Sequence, residues 1–174
     1  FFQLRSSAQT VTITLQYTGA QALGCCSVCT GDYFCWGGSC GCCTANGNLT
    51  FTDPVPAGNV ITGVSVNFFG VDCGSGSFTI PTAINGTSVG SAPVVTTDCS
   101  CGGCYSHIAN ATFPCTGLPG YNYGGTNTLM PSPGQIVCMD RVEITFTYVP
   151  SSSFALPPIG TISGPSSGCA GGTG

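Results

Sequence analysis

Lysine is missing from this 174-residue chain, and the two cations are Arg5 and Arg141. Charged residues make up 5% of the sequence, where an ordinary soluble domain carries about 25%. Six acids leave a net charge of -4. A surface without cations cannot neutralise phosphates, which excludes an electrostatic nucleic-acid binder. Long apolar runs are absent too. The most apolar stretch, Val60 to Val71, is broken by Thr62, Gly63, Ser65, Asn67 and Gly70, and a spanning helix needs about 20 consecutive apolar residues. Membrane insertion is therefore not expected. No twelve-residue window keeps a helical period, so helices are not expected either.

Catalytic groups are equally scarce. His107 is the single histidine. Its neighbour Ser106 would point to the opposite face of a strand, which leaves no serine–histidine pair. The acids Asp32, Asp53, Asp72, Asp98, Asp140 and Glu143 suit turns and strand ends better than a paired-carboxylate cleft. No enzyme activity, catalytic residue or cofactor is expected. A calcium site built from two of Asp53, Asp72 and Asp98 with backbone oxygens is the weaker alternative.

What is present is apolar and sulfur-rich. Hydrophobic residues make up 42% and the mean hydropathy is +0.35. With so little charge, something must cover the surface. The candidates are sugar and further copies of the chain. Fourteen cysteines occur: Cys25, Cys26, Cys29, Cys35, Cys40, Cys42, Cys43, Cys73, Cys99, Cys101, Cys104, Cys115, Cys138 and Cys169. That density points to disulfides and an oxidising, extracellular compartment. Zinc fits poorly, because the C-x-x-C pairs are far apart and crowded by other cysteines. Residues 25–43 hold seven cysteines. Seven is odd, so full oxidation sends at least one bridge outside that cluster. Sequons at Asn48, Asn85 and Asn110 fit secretion and N-glycosylation. Phe1 in place of Met at the first position points to a removed leader.

Thr10 to Tyr17 alternates Val11, Ile13, Leu15 and Tyr17 with polar residues, which predicts a strand. Val142 to Val149 does the same, and Val60 to Phe69 places Val64, Val66 and Phe68 on one face. Shorter strands are expected near residues 49–51, at 77–80 and 83–84 on either side of Pro81, and at 88–89, 94–97 and 108–113, with a type I′ hairpin turn at Asn85-Gly86. Residues 25–43 and 98–106 read as stapled loops, and 114–134 as a long loop. The expectation is all-β: a single β-sandwich, jelly-roll-like, over residues 10–149. It has an N-terminal extension (1–9) and an extended Pro/Gly/Ser-rich tail (150–174).

Two segments could join copies of the chain. The strand at 10–17 could complete a neighbour's sheet, its alternate side chains filling the groove. The tail could dock through Phe154, Leu156, Ile159 and Ile162, with a fold-back held by Cys169 as the alternative. Tyr33, Phe34, Trp36, Tyr105, Tyr121 and Tyr123 lie in irregular segments, which supports a competing reading as a carbohydrate-binding or adhesive module.

The run Phe51-Thr-Asp-Pro-Val-Pro-Ala-Gly-Asn-Val-Ile-Thr-Gly-Val-Ser-Val66, Cys73-Gly-Ser-Gly76 and Cys99-x-Cys101-x-x-Cys104 resemble cysteine-rich extracellular β-sandwich domains of microbial eukaryotes. Over roughly residues 10–150 the chain also resembles subunits of glycosylated extracellular fibrils from environmental sources. The resemblance implies a homopolymer with heavy glycosylation and supplies no catalytic residues.

Overall fold

Alternating apolar and polar residues bury one face of a strand and wet the other. The computed structural model describes residues 7–16, 34–36, 48–72, 77–94, 105–114, 116–135 and 137–154. Nine strands are described: β1 (Gln9–Gln16), β2 (Phe34–Trp36), β3 (Leu49–Thr52), β4 (Asn59–Asp72), β5 (Phe78–Ile84), β6 (Thr87–Val94), β7 (Tyr105–Thr112), β8 (Thr126–Pro131) and β9 (Val137–Pro150). A 3-10 turn, Ser151–Phe154, follows. Its Ser151 N–H and hydroxyl both donate to Gly58 O at 2.8 Å, which ties the end of β9 to the turn before β4.

One sheet runs β1-β9-β4-β7, with β2 also on β9, and the other runs β3-β8-β5-β6. The antiparallel pairs β1–β9, β3–β8, β4–β7 and β5–β6 describe one long hairpin. Its two arms alternate between the sheets as it rolls up. That is a jelly-roll β-sandwich. The hairpin tip is Asn85 (φ 48°) and Gly86 (φ 84°), the left-handed pair a type I′ turn requires.

The core follows the register. Across the first sheet, Val11, Phe146, Val64 and Ala111 form one inward row, and Ile13, Ile144, Val66 and Ala109 the next. The facing sheet contributes Phe51, Ile80, Ile84, Val89, Val94 and Leu129, all buried. Phe51 and Tyr121 close on Phe146 at 5.8 and 5.6 Å between ring centroids.

Three local expectations need correction. The 114–134 segment is not all loop, because it contains β8. There the inward positions are Asn127 and Leu129, and a buried asparagine hides the apolar alternation. The 25–43 segment contains β2, which pairs with Val137–Met139 of β9. Three residues are too few to carry a period. The two pieces expected on either side of Pro81 are one strand, β5 (Phe78–Ile84), which passes through the proline with a register shift between Pro81 and Ala83. An irregularity there accommodates a residue without an N–H. Residues 1–6 and 155–174 lie outside the described residues.

Candidate functional site

β1 is an eight-residue strand, QTVTITLQ, without Pro, Gly or charge. Its pairing with β9 runs unbroken from Gln9 opposite Tyr148 to Gln16 opposite Arg141. Among the described residues no strand pairs with its other side. Val11, Ile13 and Leu15 pack against the chain's own core. The side chains expected to fill a neighbour's groove therefore fill this chain's own. Tyr17 lies outside the described residues, as do Leu156, Ile159 and Ile162; Phe154 ends the 3-10 turn.

Other edges are blunted. β2 and β3 have three and four residues, and Pro54 follows β3 closely. β6 carries Pro93 and Gly90 and lies against β7. The Gly90 φ is +103°, and a Cβ there would sit 2.5 Å from Asn110 O. His107 Nδ1–H donates to Pro93 O at 3.2 Å. On that side the two sheets close onto each other.

The outward face of the first sheet is built of hydroxyls and amides. Its cross-strand rows read Thr10, Thr147, Gly63, Thr112, then Thr12, Thr145, Ser65, Asn110, then Thr14, Glu143, Asn67, Ile108. Thr12 and Thr145 hydroxyls are 2.9 Å apart, and Ser106 Oγ donates to Asn67 Oδ1 at 2.6 Å. Arg141 Nε donates to Glu143 Oε1 at 3.0 Å, and its guanidinium carbon stands 3.9 Å from the centre of the Phe69 ring. Apart from this ion pair and the exposed Ile108, the face is polar through neutral hydroxyls and amides, which answers part of the solubility question raised by the composition.

The sequons differ in environment. Asn48 and Asn110 are exposed. Asn85 is half-buried, and its amide is fully engaged. Nδ2 donates to Gly120 O at 2.9 Å and to Asn127 Oδ1 at 2.8 Å, while Oδ1 accepts from Thr128 N at 2.8 Å. Thr87 of the same sequon donates to Pro119 O at 2.8 Å.

A polar knot at one end of the sandwich holds the 116–126 segment. Asn127, fully buried, donates to Asn122 O at 3.0 Å and accepts from Asn122 N at 2.8 Å. Asp53 Oδ1 accepts from Tyr121 Oη at 2.7 Å and Val55 N at 2.9 Å, and Oδ2 from Gly124 N at 2.7 Å. Burial first, then the hydrogen bond and charge of Asp53, push the Tyr121 phenol well above its ordinary pKa. Asp53, a candidate calcium ligand, is thus spent on turn amides and a phenol. The Asp72 side chain and Asp98 lie outside the described residues.

Of the loop aromatics, only the side chains of Tyr121 and Tyr123 fall among the described ones, and those two pack together. Tyr121 is buried, and Tyr123 packs edge-on against it at 5.0 Å. Tyr123, 43% exposed, accepts from Ile61 N at 3.0 Å. Phe34, Trp36 and Tyr105 sit in strands, and Tyr33 lies outside the described residues. Ser106 is exposed and His107 is 4% exposed, as opposite faces of β7 require. No group of three or more metal-ligating side chains occurs among the described residues. Of the cysteines, Cys35 and Cys138 are placed, on β2 and β9. The knot around Asn127 and the close approach at Gly90 escaped sequence reading, because neither has a signal beyond one polar and one small residue.

No protein-family model matches the chain, and no curated protein matches it at a significant level. Among solved structures, it is similar to a family 35 carbohydrate-binding module from Clostridium thermocellum, at 13% identity and a TM-score of 0.42. The similarity covers 79% of this chain and 97% of that one. At that identity and score nothing about the site is carried over.

Proposed function

We propose that this chain is the structural subunit of a secreted, disulfide-bonded, N-glycosylated extracellular filament, with no catalytic role. The observation that carries the reading is the β1 edge. Exposed strand edges are ordinarily guarded by charge, proline, bulges or brevity, and β1 has none of these. Its outer N–H and C=O groups suit an extended segment from the next copy, added as one more strand. Two identical β1 edges paired with each other would close a dimer. A different segment of the neighbour on β1 gives a head-to-tail contact that can continue indefinitely.

Sugar is the second cover in this reading. Asn48 and Asn110 carry it, and Asn85 does not. An N-linked glycan replaces one Nδ2 hydrogen, and both Asn85 hydrogens are already donated inside the polar knot.

Negative-stain microscopy of native material tests the assembly. Filaments are expected, and monodisperse particles at high concentration would remove the reading. Filaments that persist when Thr12→Lys and Thr14→Lys are combined would move the contact away from β1. Enzymatic removal of N-glycans, which converts occupied Asn to Asp, should mark Asn48 and Asn110 and leave Asn85 unchanged by peptide mass spectrometry.

A further inference from the structure

Parity requires a bridge out of one cysteine-rich segment, and register offers a partner for it. Residues 25–43 hold seven cysteines, so complete oxidation requires a bridge from this segment to a cysteine outside it. β2 lies antiparallel to β9 with Phe34 opposite Met139, Cys35 opposite Cys138 and Trp36 opposite Val137. On its other flank, Cys138 faces Val71 of β4. One cross-strand neighbour of Cys138 is therefore a cysteine and the other a valine.

We infer that Cys35 and Cys138 form a cross-strand disulfide that clamps the cysteine-rich segment to the sandwich. Directly opposed residues of an antiparallel pair have Cα atoms about 4.5 or 5.5 Å apart, depending on the hydrogen-bonding position. Both separations fall within the roughly 4.4–6.8 Å range that a disulfide spans. Removing this pair leaves six cysteines in the 25–43 segment and six elsewhere in the chain. Both sets are even, so each can pair internally. The bond forms by thiol–disulfide exchange with an oxidised dithiol oxidoreductase. The Cys35 and Cys138 thiols lose two protons and two electrons, the S–S bond forms, and the oxidant's disulfide is reduced to two thiols.

The clamp has a consequence for assembly, and this part rests on the filament reading. β4 pairs with β9 along one side, so β1 and β2 lie in tandem on the other, opposite 141–148 and 137–139 respectively. A covalent β2 closes the 137–139 part of that edge permanently. Strand addition is then confined to the free side of β1. The clamp also opposes sliding of β9 in the first sheet, where a one-residue slip would turn every inward side chain outward.

Peptide mapping decides it. Native material is blocked with N-ethylmaleimide, digested with pepsin at low pH without reductant, and analysed by mass spectrometry before and after reduction. A linked peptide pair containing Cys35 and Cys138, lost on reduction, is expected. Cys138 linked to any other cysteine would overturn the inference and leave the filament reading standing. Full N-ethylmaleimide labelling of every cysteine without reduction would overturn both the inference and the extracellular reading. Cys138→Ser should expose one new labelled thiol, at Cys35. The Cys35→Ser/Cys138→Ser double variant should melt at the same lowered temperature as either single variant. Additive losses in the double variant would count against a shared bond.

Discussion

The two lateral sides of this sandwich solve the same problem in opposite ways. On one side β6 and β7 press the sheets together. The side chain missing at Gly90 lets the two backbones approach, and the His107 hydrogen bond to Pro93 O fastens them. On the other side β1 runs for eight residues without Pro, Gly or charge, and among the described residues no strand pairs with its outer edge. A closed side costs conformational freedom and special residues. An open side costs solubility unless something occupies it. In a chain with 5% charged residues, this long edge, unpaired among the described residues, is the feature on which the proposed contact with another copy rests.

The sharpest way to break this comparison is to guard β1. Combining Thr12→Lys with Thr14→Lys, both at exposed positions, is expected to abolish filaments seen by microscopy. Surface changes of this kind alter stability by about 0.5 kcal/mol or less each, so the thermal midpoint should barely move. Next in size is the closed side. Gly90→Val places a branched side chain at φ +103° against Asn110 O. Strain and overpacking together should cost about 3 kcal/mol or more in denaturant unfolding. Asn127→Ala opens the end of the sandwich by leaving Asn122 N and the Asn85 amide without their acceptor. The expected loss is about 2–3 kcal/mol.

Tyr121→Phe removes a single hydrogen bond to a half-buried carboxylate, about 1–2 kcal/mol. It also has a pH signature. The folded phenol is held above its ordinary pKa of 10.0, so the protonated form is favoured by folding. That contribution is fully present below pH 10.0 and is lost as pH rises above it. Tyr121→Phe should therefore flatten the alkaline fall in stability, measured by circular dichroism. The smallest effect is expected from Arg141→Ala. Its partly exposed ion pair with Glu143 and its stacking on Phe69 together should amount to under about 1.5 kcal/mol.

Most of the sandwich was legible because its longest strands alternate cleanly. Val11, Ile13 and Leu15 in β1, Val64, Val66 and Phe68 in β4, and Val142, Ile144 and Phe146 in β9 all face the core as their period of two demands. The type I′ turn at Asn85-Gly86 was legible because few other residue pairs tolerate two left-handed conformations. β8 was not, since its buried asparagine looks polar until its partners are known. β2 was not, since three residues among cysteines have no pattern. The hydrogen-bonded surroundings of Asn85 were not legible for the same reason. A sequon is a local motif, while the Gly120, Asn127 and Thr128 partners that engage its amide come from a distant stretch of chain.

Composition and local pattern by themselves determined the class of the molecule: all-β, nearly uncharged, rich in cysteine, with no unbroken apolar run of about 20 residues and two cations. These follow from residue counts and short-range periodicity, which need no partners. Only the tertiary structure decided which edge is unpaired among the described residues and which is closed, which sequon lies in a hydrogen-bond network, and which cysteine lies opposite Cys35 across a strand pair. Each of these depends on register between segments far apart in the chain. Register comes from packing the whole core at once, so no local stretch of sequence carries it.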